Sequence, residues 1–238
     1  MSWLRSLWFV AVGIPVTAFY ASWAVLASWA GIRYAPNNVY DRIMRNWSAR
    51  LLRANGVAVT AEGLEQLDPS GSYVFIANHT SIVDIWALLV ALPNSFRYLA
   101  KREIGRVPIL GRAMDSAGNI FIDRKNLKSS FSSYDEAAAR IRLGLSAMVF
   151  AEGTRSRDGR LLPFKKGPFV LAIRAGVPLV PVRIVGAWEC NPKGALYVLP
   201  GRVSVRVGAP IETAGMTYDD RDQLSTSARA TMERLAAR

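Results

Sequence analysis

The chain predicts an α/β fold in which a single mixed sheet is flanked by helices and preceded by an N-terminal membrane helix or helical hairpin. Short apolar runs suited to buried strands alternate with stretches whose apolar residues recur at spacings of three and four. Residues 6–32 carry no charge, a run longer than the roughly 20 residues a helix needs to cross a bilayer. The 238 residues suffice for one sizeable core and are too few for two comfortable domains. Residues 1–55 therefore read as a membrane segment plus an amphipathic helix, and residues 56–238 as the α/β domain.

Trp3, Trp8, Tyr20, Trp23, Trp29 and Tyr34 gather in and beside the uncharged run, and such side chains prefer membrane interfaces. Gly13 and Pro15 mark where it would bend. The run is too long for a cleaved signal peptide and lacks a clean small-x-small site. Arg33, Arg42, Arg45, Arg50 and Arg53 follow it, against Arg5 alone before it, so the positive-inside tendency keeps the main body on the cytoplasmic side. Residues 38–55 form an amphipathic helix with Val39, Ile43, Trp47, Leu51 and Ala54 on one side and arginines around them, ended by Gly56. That helix either lies on acidic headgroups or packs on the domain with a solvated basic face.

Residues 57–62, 73–77, 96–100, 119–123, 147–151 and 177–185 read as strands, and 196–199 with 203–207 as a hairpin around Pro200-Gly201. Helices are expected over 81–92, after Arg124 with Phe131, Tyr134, Ala138, Ile141 and Leu145 as its buried stripe, and over 164–175. A last one starts near Tyr218 and buries Leu224, Ala228, Met232 and Leu235. Gly105, Pro108 and Gly111 make the stretch after Lys101 a loop or broken helix. There Ile104, Val107, Ile109 and Leu110 interleave with Arg102, Arg106 and Arg112, a mixture suited to lipid and phosphate.

Lysine plus arginine total 30 against 18 acidic residues, a surplus of 12 that favours phosphate esters, nucleic acid or acidic lipid surfaces. A single cysteine, Cys190, excludes an internal disulfide, and with one histidine there is no Cys/His cluster for zinc.

That one histidine, His79, sits where the strand of residues 73–77 gives way to a helix. Asn78, Thr80 and Ser81 around it are residues that end strands and start helices. Imidazole exchanges protons near neutrality. On one continuous helix Asp84 would lie about 140° away. With His79 in the turn and Ser81 as N-cap, its carboxylate curls back toward the ring, or simply caps the helix. Open α/β sheets place their reactive crevice beyond strand C-terminal ends, and His79, Lys101, Arg124 and Glu152 with Arg155 each follow an expected strand.

In that position His79 acts as general base toward a hydroxyl, with Asp84 fixing its tautomer. No G-x-S-x-G elbow supplies a serine nucleophile, Ser81 suits a helix cap better, and Cys190 lies in a loop far from the other candidates in sequence. Lys101, Arg124 and Arg155 suit a phosphomonoester. Gly153 admits close backbone approach, and Glu152 orients a glycerol hydroxyl or pairs with an arginine.

Four blocks, NHTSIVD (78–84), GNIFIDR (118–124), FAEGTRS (150–156) and VPLVPV (177–182), resemble in order and spacing those of the glycerolipid acyltransferases, most of all the 1-acylglycerol-3-phosphate acyltransferases of bacterial membranes. KREIGRVPILG (101–111) and FKKG (164–167) are similar to that family too. The resemblance implies a glycerol-3-phosphate acyltransferase-like sheet, His79 and Asp84 as the catalytic pair, and acceptor binding by Arg124, Glu152, Gly153, Thr154 and Arg155, with Lys101 as a further phosphate contact. It implies a lysophosphatidate acceptor, an acyl-CoA or acyl carrier protein donor and an anionic membrane as partners. The expected setting is the cytoplasmic side of a bacterial membrane. Thioester chemistry of this kind needs no metal or organic cofactor. Ala151 stands where the family usually has proline, which is expected to loosen the turn before Glu152.

Rival readings fit less of the sequence. Another lysolipid, such as a lyso-ornithine lipid, or glycerol 3-phosphate itself would use the same chemistry. A non-catalytic anchor for anionic membranes explains the charge but not the four blocks. The basic residues are scattered among apolar segments without a recognition motif, against a nucleic-acid binder, and a lipase lacks its elbow.

Overall fold

The computed structural model describes residues 2–123 and 127–237. The chain begins with α1 (Ser2–Trp29), α2 (Val39–Ala54), β1 (Val57–Glu62), β2 (Val74–Ala77), α3 (Val83–Ala91) and β3 (Phe96–Lys101). It continues through α4 (Leu110–Ser116), β4 (Ile120–Ile122), α5 (Leu127–Arg142), β5 (Ser146–Phe150), α6 (Gly167–Ala175), β6 (Leu179–Val185), α7 (Ala187–Cys190), β7 (Gly201–Val207) and α8 (Arg221–Ala236).

The seven strands form one mixed sheet in the order β1-β7-β6-β2-β5-β3-β4. From β6 to β4 every neighbouring pair is parallel, whereas β7 runs antiparallel to β6 and β1 parallel to β7. Parallel strands covered on both faces are apolar throughout, and all four residues of β2 are buried. Alternation divides them: Phe75, Ala77, Val180 and Val182 pack with Leu51, Leu52, Trp86 and Leu88 of α2 and α3, while Val74, Ile76, Val149 and Leu179 pack with Ile141, Phe169, Leu224 and Met232 of α5, α6 and α8. The parallel strands end along one edge of the sheet, so residues 78, 102, 123, 151 and 186 all begin loops at that edge.

The expected hairpin is absent. Residues 196–199 are not a strand, because their backbone bonds elsewhere: Leu199 N–H donates to the Cys190 carbonyl and the Asn191 amide captures the carbonyls of Ala195 and Tyr197. The antiparallel pairing expected in this region lies instead between β6 and β7. The stripe on α5 holds for Ala138 and Ile141; the side chain of Phe131 lies outside the described residues.

α1 continues through Gly13 and Pro15 as one helix, and it is long and apolar enough to cross a membrane by length and composition. Trp3, Leu7, Ile14, Phe19 and Trp23 are exposed on it, whereas Ala21, Ala24 and Val25 pack with Tyr40, Ala113 and Ala117. Polar contacts lash it to α2: Trp8 Nε1 donates to the Ala54 carbonyl, Trp47 Nε1 to Thr17 Oγ1, and Arg50 Nε to the Tyr20 hydroxyl. α2 itself is packed on the domain. Its Arg45 reaches the carbonyls of Leu89, Leu92, Pro93 and Asn94 at the end of α3 at 2.6–3.2 Å, and Asp41 pairs at 2.6 Å with the buried Arg97 of β3. Arg42, Arg50 and Arg53 remain on its exposed side.

Candidate active site

Strand β2 ends at Ala77, and the next residue carries its pairing one step further with a side chain. The Asn78 amide accepts from Ile184 N–H at 2.7 Å and donates to the Ile184 carbonyl at 3.0 Å, so β6 fixes the start of the turn. His79 follows, its side chain 16 % exposed, with Nδ1 2.9 Å from Asp84 Oδ2.

Asp84, fully buried, accepts at the same oxygen from the N–H groups of Thr80 and Ser81 at 2.7 and 2.8 Å. A carboxylate already fed by two donors calls for a third at Nδ1, so Nδ1 carries the hydrogen and Nε2 is left as the acceptor. Helix α3 starts at Val83 rather than at residue 81, and Ser81 Oγ accepts from Val83 N–H. Ser81 is thereby occupied with the helix start, and the Asp84 carboxylate both caps the turn and orients the ring.

The loop after β5 wraps the same histidine. Glu152 Oε1 accepts from His79 N–H at 3.0 Å and its Oε2 from Leu162 N–H at 3.1 Å, while Ser156 N–H donates to the His79 carbonyl at 2.7 Å. Both peptide groups of His79 are thus held by one short loop. Burial pushes the Glu152 carboxyl from its ordinary value of 4.5 up to about 7, against the pull of those two N–H groups and the neighbouring positive charge of Arg183. Gly153 reverses the loop with φ +72°, a conformation that costs glycine nothing. Phe150, the last residue of β5, stacks on the imidazole with ring centroids 3.7 Å apart and planes inclined by 11°. Tyr98 stacks behind it, and burial raises its hydroxyl well above the usual range.

Ala151 tightens this loop, contrary to expectation. Its N–H donates to the Ala77 carbonyl at 3.0 Å, extending the β2–β5 ladder by a bond that proline would forgo.

The remaining sequence candidates lie at the same sheet edge with different surroundings. Lys101 ends β3, half-exposed and 3.0 Å from Glu103. Thr154 and Arg155 form the tip of the loop bonded to His79, and the Arg155 side chain makes no ion pair with a carboxylate among the described residues. Arg124 lies outside the described residues. Cys190 is buried, its thiol pushed up by that burial, and its Sγ lies close against Gly201. It belongs to the core.

Sequence reasoning missed a further segment at this edge, the one that leaves β6. Asn191, buried, accepts weakly from Ser81 Oγ and Ile82 N–H at 3.4 Å; Trp188 Nε1 donates to the Arg157 carbonyl at 3.1 Å; and Lys193 Nζ donates to the Arg155 carbonyl at 2.8 Å and Thr154 Oγ1 at 3.2 Å. The signal was present, since residues 177–185 were legible as a strand and whatever follows it must emerge beside His79.

A buried carboxylate, an oriented imidazole with its second nitrogen available, and no serine elbow define a class of enzyme that activates a hydroxyl of its substrate directly. An acyltransferase family model matches residues 58–185. The 1-acyl-sn-glycerol-3-phosphate acyltransferase alpha of Homo sapiens is 33% identical over 96% of this chain and 84% of its own length, and that of Mus musculus 33% identical over 90% and 78%. The crystal structure of the 1-acyl-sn-glycerophosphate acyltransferase PlsC from Thermotoga maritima superimposes with a TM-score of 0.80 at 25% identity, covering 100% of this chain and 97% of that one. The chain belongs to the acyltransferase family.

Proposed function

We propose that this chain moves a fatty acyl group from acyl-CoA or acyl carrier protein onto the sn-2 hydroxyl of 1-acylglycerol 3-phosphate, giving phosphatidate, on the cytoplasmic side of a bacterial membrane. The observation that carries the reading is the His79–Asp84 contact at 2.9 Å, with Nδ1 committed to the carboxylate. The human and mouse relatives named above, acyltransferases for 1-acyl-sn-glycerol 3-phosphate, support the choice of acceptor.

Nε2 takes the proton of the acceptor hydroxyl as its oxygen attacks the thioester carbonyl. Asp84 stabilises the imidazolium so formed, and the Phe150 face adds a cation–π contribution. Collapse of the tetrahedral intermediate forms the ester, breaks the carbon–sulfur bond and returns the proton from Nε2 to the leaving thiolate. Lys101, Arg124 and Arg155 receive the acceptor phosphate, Gly153 and Thr154 line its approach, and Glu152 holds the histidine's backbone.

Purified full-length protein assayed with a panel of lysolipids and with both donors tests this. Transfer to lysophosphatidate above the other acceptors is the expected result. A preference for lyso-ornithine lipid or glycerol 3-phosphate would reassign the acceptor, and liposome binding without transfer to any acceptor would overturn the enzymatic reading.

A further inference from the structure

We infer that Lys193, carried by the segment that leaves β6, is a second cation of the acceptor-phosphate site and makes residues 187–199 a determinant of headgroup specificity. The inference rests on the function proposed above.

The geometry starts at the loop after β5. Its two ends bond to the two peptide groups of His79, through Glu152 and through Ser156 N–H, so its tip at Thr154 and Arg155 is tethered close to the imidazole. A phosphate joined to the reacting hydroxyl through two glycerol carbons reaches only a few bond lengths from Nε2, which makes the tip a fitting place for it. Lys193 arrives at this tip from a different strand and donates to the Arg155 carbonyl and Thr154 Oγ1. An ammonium has three N–H donors, and these two contacts leave one.

The charge balance points the same way. Neither Lys193 nor Arg155 pairs with a carboxylate among the described residues, whereas Lys101 has Glu103, Lys166 has Asp222 and Arg174 has Asp135. Two cations brought together at one turn without a counter-charge repel each other, and a dianionic phosphomonoester relieves that repulsion while accepting from both. The lysine's carrier is firmly seated: Asn191 ties the segment to the turn that begins α3, Trp188 ties it to Arg157, and Val198 is buried in the core. A rigid mount lets a long, otherwise floppy side chain act at a defined position.

The test uses the full-length protein. Binding of lysophosphatidate and of the matching 1-acylglycerol, which lacks the phosphate, is measured on a His79→Ala background with and without Lys193→Met and Lys193→Arg. Lys193→Met is expected to weaken lysophosphatidate about tenfold, the worth of one charge-assisted hydrogen bond, to leave 1-acylglycerol unchanged, and to be rescued by Lys193→Arg. With His79 present, KM for lysophosphatidate is expected to rise by a similar factor at little cost to kcat. Unchanged lysophosphatidate binding would overturn the inference. Equal weakening of both ligands would do so too, since it would make Lys193 a brace for the loop only. Failure of the unsubstituted protein to transfer an acyl group at all would strike the proposed function instead, and the binding comparison would still decide the role of Lys193.

Discussion

Asp84 and Glu152 are both buried acids at the same edge of the sheet, both accept two backbone N–H groups, and they serve His79 in different ways. Asp84 also touches the imidazole. Glu152 touches only main chain, that of His79 and Leu162. One carboxylate orients the reacting ring while the other holds the chain that carries it. The family-derived expectation of Glu152 as a substrate contact therefore gives way, in our reading, to a brace that acts through the histidine's backbone.

Substitutions separate the two roles. His79→Ala removes the base itself and is expected to reduce transfer by at least about a thousandfold, with the melting temperature within a few degrees of the parent; retained turnover would remove the base from the mechanism. Asp84→Asn comes next. It keeps the size of the side chain but offers the ring the wrong partner, and kcat is expected to fall about a hundredfold or more. Because Thr80 and Ser81 N–H lose a charged acceptor, stability falls as well by about 1–3 kcal/mol, readable in denaturant titrations. A loss of stability with kcat preserved would reduce Asp84 to a helix cap.

Glu152→Gln gives the smallest effect on rate, and its signature is in pH. The folded-state carboxyl titrates near 7 and the unfolded one near 4.5, so the folded protein holds the proton more tightly. Its contribution to stability is complete below about 4.5 and is lost as pH rises through 7. Asp84 adds to the upward shift, and Arg183 opposes it. The melting temperature of the parent is thus expected to fall across that window relative to Glu152→Gln, which lacks the titration. Parallel profiles for the two proteins would show that Glu152 keeps its charge throughout.

Much of this was legible because it is local. Apolar runs placed the strands, and β1 was delimited to the residue. The His79–Asp84 contact needed only five residues and a helix start. What escaped was decided across the sheet. Residues 196–199 have strand-like composition, yet Cys190 and Asn191 claim their hydrogen bonds. Glu152 reads as a ligand-facing acid until Leu162, ten residues on, is seen to share it with His79. Lys193 was invisible because nothing in its neighbours reveals that β6 lies beside β2. The basic face of α2 concealed Arg45 and Asp41, which point into the protein and tie it to α3 and β3.

That last pairing bears on how the protein can be handled. Asp41 is the counter-charge for a guanidinium sunk in the sheet domain, and Leu51 and Leu52 complete a hydrophobic layer over β-strands they precede in the chain. Trimming the polypeptide at residue 55 to obtain a soluble catalytic fragment would strand that guanidinium at a cost of about 3–5 kcal/mol and uncover one side of the sheet. The bilayer-facing helices are in this sense a wall of the enzyme, and shearing them away would dismantle the chamber along with the anchor.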